Sequence, residues 1–364
     1  MKNHISLFIF AIALLSGPVS ANDLSMTAVK DTLASIPGEH NYIYVRTPLG
    51  EDEEKNYDEI TFYDGLGREL DFAQSYGADR AGAIMAHHHL IEYDSLGRKE
   101  KQWLSTNTSF SYMSPEDLKG GVLWDYHDAG KRSDLQTNYE SSPLNRITEQ
   151  YGVGDAWGDH PARMEYLTNI PADSLRCSFY FIDDNDSLIR RGDYRSGELQ
   201  VTKATDEDGK PTYTFVDKQG RTLLTRLGRG NQQADTYFVF DRFGRIRYVL
   251  PPMINDEISA GNLDLYAYQY LYDSFGRCIS KKLPGCAAIG YVYDKADRVI
   301  LSQNGNQSQK KEWTFTFYDN QGRLALTGLC SFNDPPSLDN SIVRAYRTTS
   351  EKDGVLHSGY EVEH

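Results

Sequence analysis

The sequence predicts an all-β chain, an array of antiparallel β-hairpins with one short helix near 115–128. Three observations carry this expectation. A six-residue pattern, aromatic-Asp-x-x-Gly-Arg, recurs along the chain. Tyr (25) and Gly (30) are abundant against 13 Pro, and aromatics suit half-buried pleated surfaces while Gly supplies the positive φ of tight turns. Between copies the residues alternate, as in Trp313-Thr314-Phe315-Thr316-Phe317 and Tyr266-Ala267-Tyr268-Gln269-Tyr270-Leu271; period two with aromatics on one side means strands with one buried face.

Composition narrows the function. Of 364 residues, 38 are basic and 52 acidic, a formal charge of −14. That balance argues against nucleic acid and anionic membrane surfaces, which both need Lys/Arg patches. With 39% hydrophobic and 12% aromatic residues, the chain is too apolar to be disordered. Four Cys in this length do not make a disulfide scaffold.

In chain order, residues 1–21 read as a secretory signal peptide. Lys2 supplies the positive start, Ile5 to Leu15 is apolar except for Ser6, Gly17-Pro18 breaks the run, and Val19-Ser20-Ala21 offers small residues before Asn22. The run is too short to span a membrane, so export to the periplasm, cell surface or medium is expected. Residues 22–113 read as an N-terminal β domain carrying Tyr63-Asp64-Gly65-Leu66-Gly67-Arg68 and Tyr93-Asp94-Ser95-Leu96-Gly97-Arg98. Residues 114–210 read as a degenerate stretch. It opens on Ser114-Pro115-Glu116-Asp117-Leu118, a cap residue, Pro at the first helical position and acids in the first turn, which predict the helix. Gly120-Gly121 weakens it, and Tyr139 to Arg146 is a copy that keeps only its ends. Residues 211–330 hold the regular hairpins: Val216-Asp217-Lys218-Gln219-Gly220-Arg221, Phe240-Asp241-Arg242-Phe243-Gly244-Arg245, Tyr272-Asp273-Ser274-Phe275-Gly276-Arg277, Tyr293-Asp294-Lys295-Ala296-Asp297-Arg298 and Tyr318-Asp319-Asn320-Gln321-Gly322-Arg323. A spacing of 21–32 residues fits one hairpin and its return. Glu51 to Lys55 and Asp206 to Lys210 read as charged hairpin tips. Residues 331–364 read as a loop and an incomplete last strand, its Ser358 to His364 lacking a partner. The open sheet edge expected there would favour self-association.

The repeated unit has a readable physics. Strand residues lead into the aromatic. Asp accepts backbone N–H bonds two residues on. Gly, or Asp297 in one copy, takes the left-handed position that closes a type I turn with a bulge. Arg then opens the return strand within reach of the Asp and of the Tyr ring of the same unit.

This Tyr-Asp-x-x-Gly-Arg unit resembles that of the RHS/YD-repeat family. Asn41 to Thr47 followed by Ile60 to Arg68 is similar to the domain that precedes the repeats in exported proteins of Gram-negative gut bacteria. Ser142 to Arg146 with Glu149 to Gly152, Leu263 to Tyr270, and Leu283-Pro284-Gly285-Cys286 are similar too. The resemblance covers about residues 36–330. It implies a curved or spiral sheet forming a hollow shell, which in bacterial members encloses a polymorphic toxin. Such members carry a core segment with paired Asp-Pro motifs that cuts the toxin free. Asp334-Pro335 is the single Asp-Pro pair in this sequence, so the expectation is an N-terminal part of such a protein without plug, protease or toxin.

Chemistry is sparse. In His87-His88-His89, alternate residues face opposite sides of a strand, so at most two share a face; exposed strand positions are expected rather than a metal site. Asp183-Asp184-Asn185-Asp186-Ser187 lacks the Gly and terminal Glu of a calcium loop, and a polar hairpin turn is expected. Cys278 and Cys286 flank Lys281 to Gly285, and a pairing centred on 282 would set them opposite each other within disulfide reach. Cys177 and Cys330 read as small core residues. No nucleophile elbow, phosphate loop or nucleotide fingerprint is present, so neither catalysis nor a cofactor is expected. Two functions follow: a shell segment packaging a toxin against competing bacteria, or a surface module docking glycans on Trp103, Trp124, Trp157 or Trp313.

Overall fold

The structure, a computed structural model, describes residues 36, 40–48, 56–78, 84–127, 132–228, 233–254, 257–332, 334, 337, 341–352 and 355–363. The signal-peptide reading and the tip at Glu51 to Lys55 lie outside them. The chain divides into one unit of residues 1–165 with 204–210 and a second of 166–203 with 211–364.

The first unit is an antiparallel sheet. Strands β1 (Asn41–Pro48), β2 (Asn56–Tyr63), β3 (Glu69–Ala78) and β4 (Ile84–Tyr93) run as a meander. β4 pairs onward with both β5 (Lys99–Trp103) and β6 (Thr106–Ser109). β5 leads to β7 (Asp134–Tyr139), then β8 (Ile147–Tyr151) and β9 (Ala162–Thr168). Alternation decides the buried face: Ile60 and Phe62, Ala73, and Ala86 turn inward and meet Phe110. Helix α1 (Pro115–Asp125) forms where its start signals stand, the Ser114 hydroxyl accepting from the Asp117 N–H at 3.1 Å. Leu118 and Val122, one turn apart, are its buried side chains. Gly121 is required by packing: a Cβ there would stand 2.7 Å from the Thr106 hydroxyl.

In the second unit, β10 (Ser178–Ile182) and β11 (Leu188–Asp193) form a separate two-stranded hairpin. After β12 (Gln200–Thr205) comes a long meander: β13 (Pro211–Val216), β14 (Thr222–Leu227), β15 (Ala234–Phe240), β16 (Ile246–Leu250), β17 (Tyr268–Tyr272), β18 (Cys278–Lys282), β19 (Ile289–Tyr293), β20 (Val299–Gln303), β21 (Glu312–Tyr318) and β22 (Leu324–Ser331). From β13 on, each strand pairs antiparallel with the next. One core joins Cys177, Tyr180, Leu199, Phe215, Leu224 and Val239. A second joins Ile300, Leu301, Trp313 and Val343.

The all-β hairpin array and its short helix are therefore as expected. Three local readings change. Ser358 to Glu363 does not lack a partner: β24 (Val355–Glu363) pairs along its length with β23 (Arg344–Lys352), because the residues just before it supply the other arm. Tyr266 ends helix α2 (Ala260–Tyr266), capped by Ser259, so the strand begins two residues later at Tyr268. A third helix, α3 (Gly305–Lys310), has a capping box from Asn304 and Gln307, a polar pattern without the apolar stripe that marks a helix in sequence. No helix among the described residues is long and apolar enough to cross a membrane.

Candidate functional site

The repeated turn has one geometry throughout. In the copy at Asp64, the Asp64 N–H donates to the Arg68 carbonyl at 2.9 Å and the Gly67 N–H to the Asp64 carbonyl at 3.1 Å. Asp64 Oδ1 accepts from the N–H groups of Leu66 and Arg68, and Oδ2 from Arg68 Nε at 2.6 Å. The same carboxylate bonds recur at Asp94, Asp217, Asp241, Asp273, Asp294 and Asp319. Left-handed backbone falls on Gly67, Gly97, Gly220, Gly244, Gly276 and Gly322, and on Asp297 at φ 58°. Asp tolerates that region better than most side chains, which explains the one copy without Gly. The copy at Glu140 is longer but still closes, with a Glu140–Arg146 fork and Asn145 at φ 54°.

The arrangement lowers the carboxyl pKa at Asp64, Asp94, Asp217, Asp241, Asp273 and Asp319. For Asp64, Asp94 and Asp319 the leading cause is the hydrogen bond from the Arg backbone N–H. For Asp217, Asp241 and Asp273 burial pushes upward first, and the N–H and guanidinium bonds together overcome it.

The Arg links one turn to the next. It bonds its own Asp, but its plane covers the aromatic of the following copy. Arg68 lies over Tyr93 at 4.5 Å, Arg98 over Tyr139 at 4.6 Å, Arg221 over Phe240 at 5.1 Å, Arg245 over Tyr272 at 4.8 Å, and Arg277 over Tyr293 and Arg298 over Tyr318 at 5.0 Å. The Tyr hydroxyl answers by donating to the carbonyl just after the preceding Arg: Tyr93 to Glu69, Tyr139 to Lys99, Tyr272 to Ile246, Tyr293 to Cys278, and more weakly Tyr318 to Val299 at 3.4 Å. Phe240 has no hydroxyl, so its rung keeps only the stacking. Arg98, Arg245 and Arg277 also donate to the backbone carbonyl of the next copy's acid. The result is a ladder of cation–π contacts and hydrogen bonds running across the strands.

Several residues lie elsewhere than expected. His88 is buried, not exposed: its Nδ1 stands 2.7 Å from Asp71 Oδ2, and its Nε2 3.0 Å from the Ser109 carbonyl. A carbonyl only accepts, so Nε2 carries a hydrogen. His87 and His89 occupy the other face, where burial holds the His89 imidazole below its usual pKa. Cys278 and Cys286 are free thiols, correcting the proposed disulfide. The β18–β19 pairing of Ser280 with Gly290 and Lys281 with Ile289 centres the turn on 285 rather than 282, leaving Cys286 exposed in the loop. Cys177 is buried and its thiol pushed up to about 12 by desolvation, while Cys330 is half-buried.

Asp183 to Ser187 is the β10–β11 turn. Asp183 caps it as the repeat Asp does, and Asp186, at φ 64°, forks onto Arg247 of β16. Arg226 is fully buried, bidentate to Asp235 and donating to the Ser174 and Arg176 carbonyls. Between this hairpin and β14–β15 is a groove with Phe179, Phe181, Tyr194 and Phe240 in its walls. Its Arg221 and Asp241 are committed to their turns. Trp313 is core, Trp103 donates to Glu92, and Trp124 and Trp157 are exposed. Among the described residues no three His, Cys, Asp or Glu are placed to hold a metal.

Residues 41–168 match a family described as a domain of unknown function, DUF6443. A search of curated proteins returns no match. The fold is similar to the crystal structure of TcdB2-TccC3, with TM-score 0.54 and 13% identity over 94% of this chain and 16% of that one. It is also similar to that of TcdB2-TccC3-Cdc42, with TM-score 0.54 and 14% identity over 85% and 14% of the two chains. The chain thus spans 14–16% of those structures' length. The likeness to those structures is one of fold, an array of antiparallel hairpins.

Proposed function

We propose that the chain is a wall segment of an exported RHS-type shell that encloses a toxin polypeptide for use against competing bacteria. The Arg–aromatic ladder carries the reading. Its polar groups are spent on joining one hairpin to the next rather than on presenting a reactive site, which is what a wall requires. The fold likeness to TcdB2-TccC3 supports a scaffold role, and the sequence resemblance supplies export and cargo. The reading includes no catalysis.

The test is to express the chain with the polypeptides encoded in frame with it or immediately downstream, and to expose the product to protease. A co-purifying polypeptide that resists digestion until the shell is denatured is expected. Digestion at the free-polypeptide rate, combined with glycan binding that Trp124→Ala abolishes, would replace the shell with the surface-module reading. Reproducible turnover on a broad substrate panel, lost on a point substitution, would overturn the non-catalytic part.

A further inference from the structure

We propose that the groove between the β10–β11 hairpin and β14–β15 is a binding site for a small planar aromatic carboxylate. Its walls are rings. Phe179 and Phe181, two residues apart in β10, share a face and stack at 5.5 Å, and Tyr194 meets Phe179 edge-on at 4.9 Å. Phe240 of β15 lines the groove from the other element. Being Phe, it presents bare hydrocarbon where the other stacked rungs carry a Tyr hydroxyl. All four rings are half-buried, so each keeps surface that the fold does not cover. The groove holds about 300 Å³, the lower end of the roughly 300–1,000 Å³ typical of small-molecule sites. That is room for one or two fused rings, which can stack offset or edge-on against such walls.

The polar groups decide the ligand's charge. Arg221 spends Nε and Nη2 on Asp217. Among the described residues its Nη1 has no acceptor, whereas Arg98, Arg245 and Arg277 give theirs to the next copy's backbone carbonyl. Arg242 is exposed at the rim, lies over the Phe243 ring at 4.9 Å, and has no acid paired with it among the described residues. Asp241 also lines the groove, but it is buried and bound by Arg245, so its charge is already balanced. The surplus is positive and favours an anion, and a guanidinium matches a carboxylate through parallel N–H bonds. Tyr194 adds a donor. Burial holds its phenol above the ordinary pKa, so it stays protonated at neutral pH, and its hydroxyl has no partner among the described residues. Rings take the ligand's plane, while guanidinium and phenol take one acidic end. A neutral sugar would leave that surplus charge unanswered. The site is independent of whether the chain walls a toxin shell.

The probe is 2-naphthoate, titrated against the full chain by saturation-transfer NMR and calorimetry. Its neutral isostere 2-naphthamide and the acidic sugar glucuronate are run beside it. Saturable binding of naphthoate is expected. Naphthamide is expected to bind about tenfold more weakly, the loss of a charge-assisted hydrogen bond, and glucuronate, with no flat ring to stack, weaker still. Tyr194→Phe keeps the ring and removes only the hydroxyl, and should weaken naphthoate about tenfold. Arg242→Gln should weaken it about threefold, because water screens an exposed pair. The naphthamide comparison leaves the chain untouched, so a folding defect in a variant cannot imitate the result. No binding of naphthoate, equal binding of naphthamide, glucuronate binding as tight as naphthoate, or indifference to both substitutions would each overturn the proposal.

Discussion

Gly97 and Gly322 share a left-handed φ, 81° and 76°, but differ in their surroundings: a Cβ on Gly97 would stand 2.8 Å from Arg68 Nη1, whereas nothing lies within 4 Å at Gly322. Both Ala variants strain the turn by about 1 kcal/mol. Gly97→Ala is expected to cost clearly more, because it also displaces an Arg from its Tyr; equal urea midpoints for the two would refute the ladder contact. Gly276→Val, at φ 88°, is expected to cost roughly 1–3 kcal/mol, while Ser274→Val at a tolerant exposed slot changes melting little. Tyr272→Phe is expected to lose about 1 kcal/mol through the Ile246 carbonyl bond, and Tyr318→Phe less, since its bond is 3.4 Å long. The turn was legible in the sequence because Asp, Gly and Arg act within five consecutive residues. The ladder was not: Arg98 reaches Glu140, 42 residues on, and reading one repeat at a time assigns the Tyr to its own Arg.

The β10–β11 hairpin shows how an element is held by its tip. Asp186→Ala is expected to cost about 1 kcal/mol, since Asp186 is 59% exposed and water screens the pair. The hairpin should then become more open to proteolysis around 183–187, with the rest of the fold intact; an unchanged cleavage rate would mean that Tyr180 against Tyr237, at 4.9 Å, holds it alone. The Asp-rich turn was readable as a turn, but its partner Arg247 lies 61 residues away. Strand β4 shows a related limit. Alternation separated His88 from its neighbours but did not say which side faces the core. Asp71 settles it from another strand by giving the ring a buried acceptor. The Cys278–Cys286 expectation failed for an element-level reason: Pro284-Gly285 places the turn three residues further along than symmetry about Lys282 required.

Across the whole molecule, the turn carboxylates make stability depend on acid. At Asp64, Asp94, Asp217, Asp241, Asp273 and Asp319 the folded pKa lies below the ordinary carboxyl value, which the unfolded chain keeps at about 3.9. A depressed acid stabilises the fold above its unfolded pKa, and that stabilisation disappears as pH falls through the folded one. Urea midpoints are therefore expected to change little from these groups between pH 7 and 5 and to fall below about pH 4. Midpoints that hold steady down to pH 2 would contradict the shared turn geometry. The ladder also has a direction in time. Each hairpin closes from its own residues, in about microseconds. Its Arg finds its ring only when the next copy has been synthesised: Arg277 waits for Tyr293 and Arg98 for Tyr139, and the carbonyls they bond lie 17 and 42 residues on. At about 5–20 residues per second the wait is roughly 1–8 seconds. During translation the leading edge therefore always carries one unstacked arginine. Stalled nascent chains ending at 271 and at 300 should differ in protease resistance at the 241–245 turn, gained only once Tyr272 has emerged.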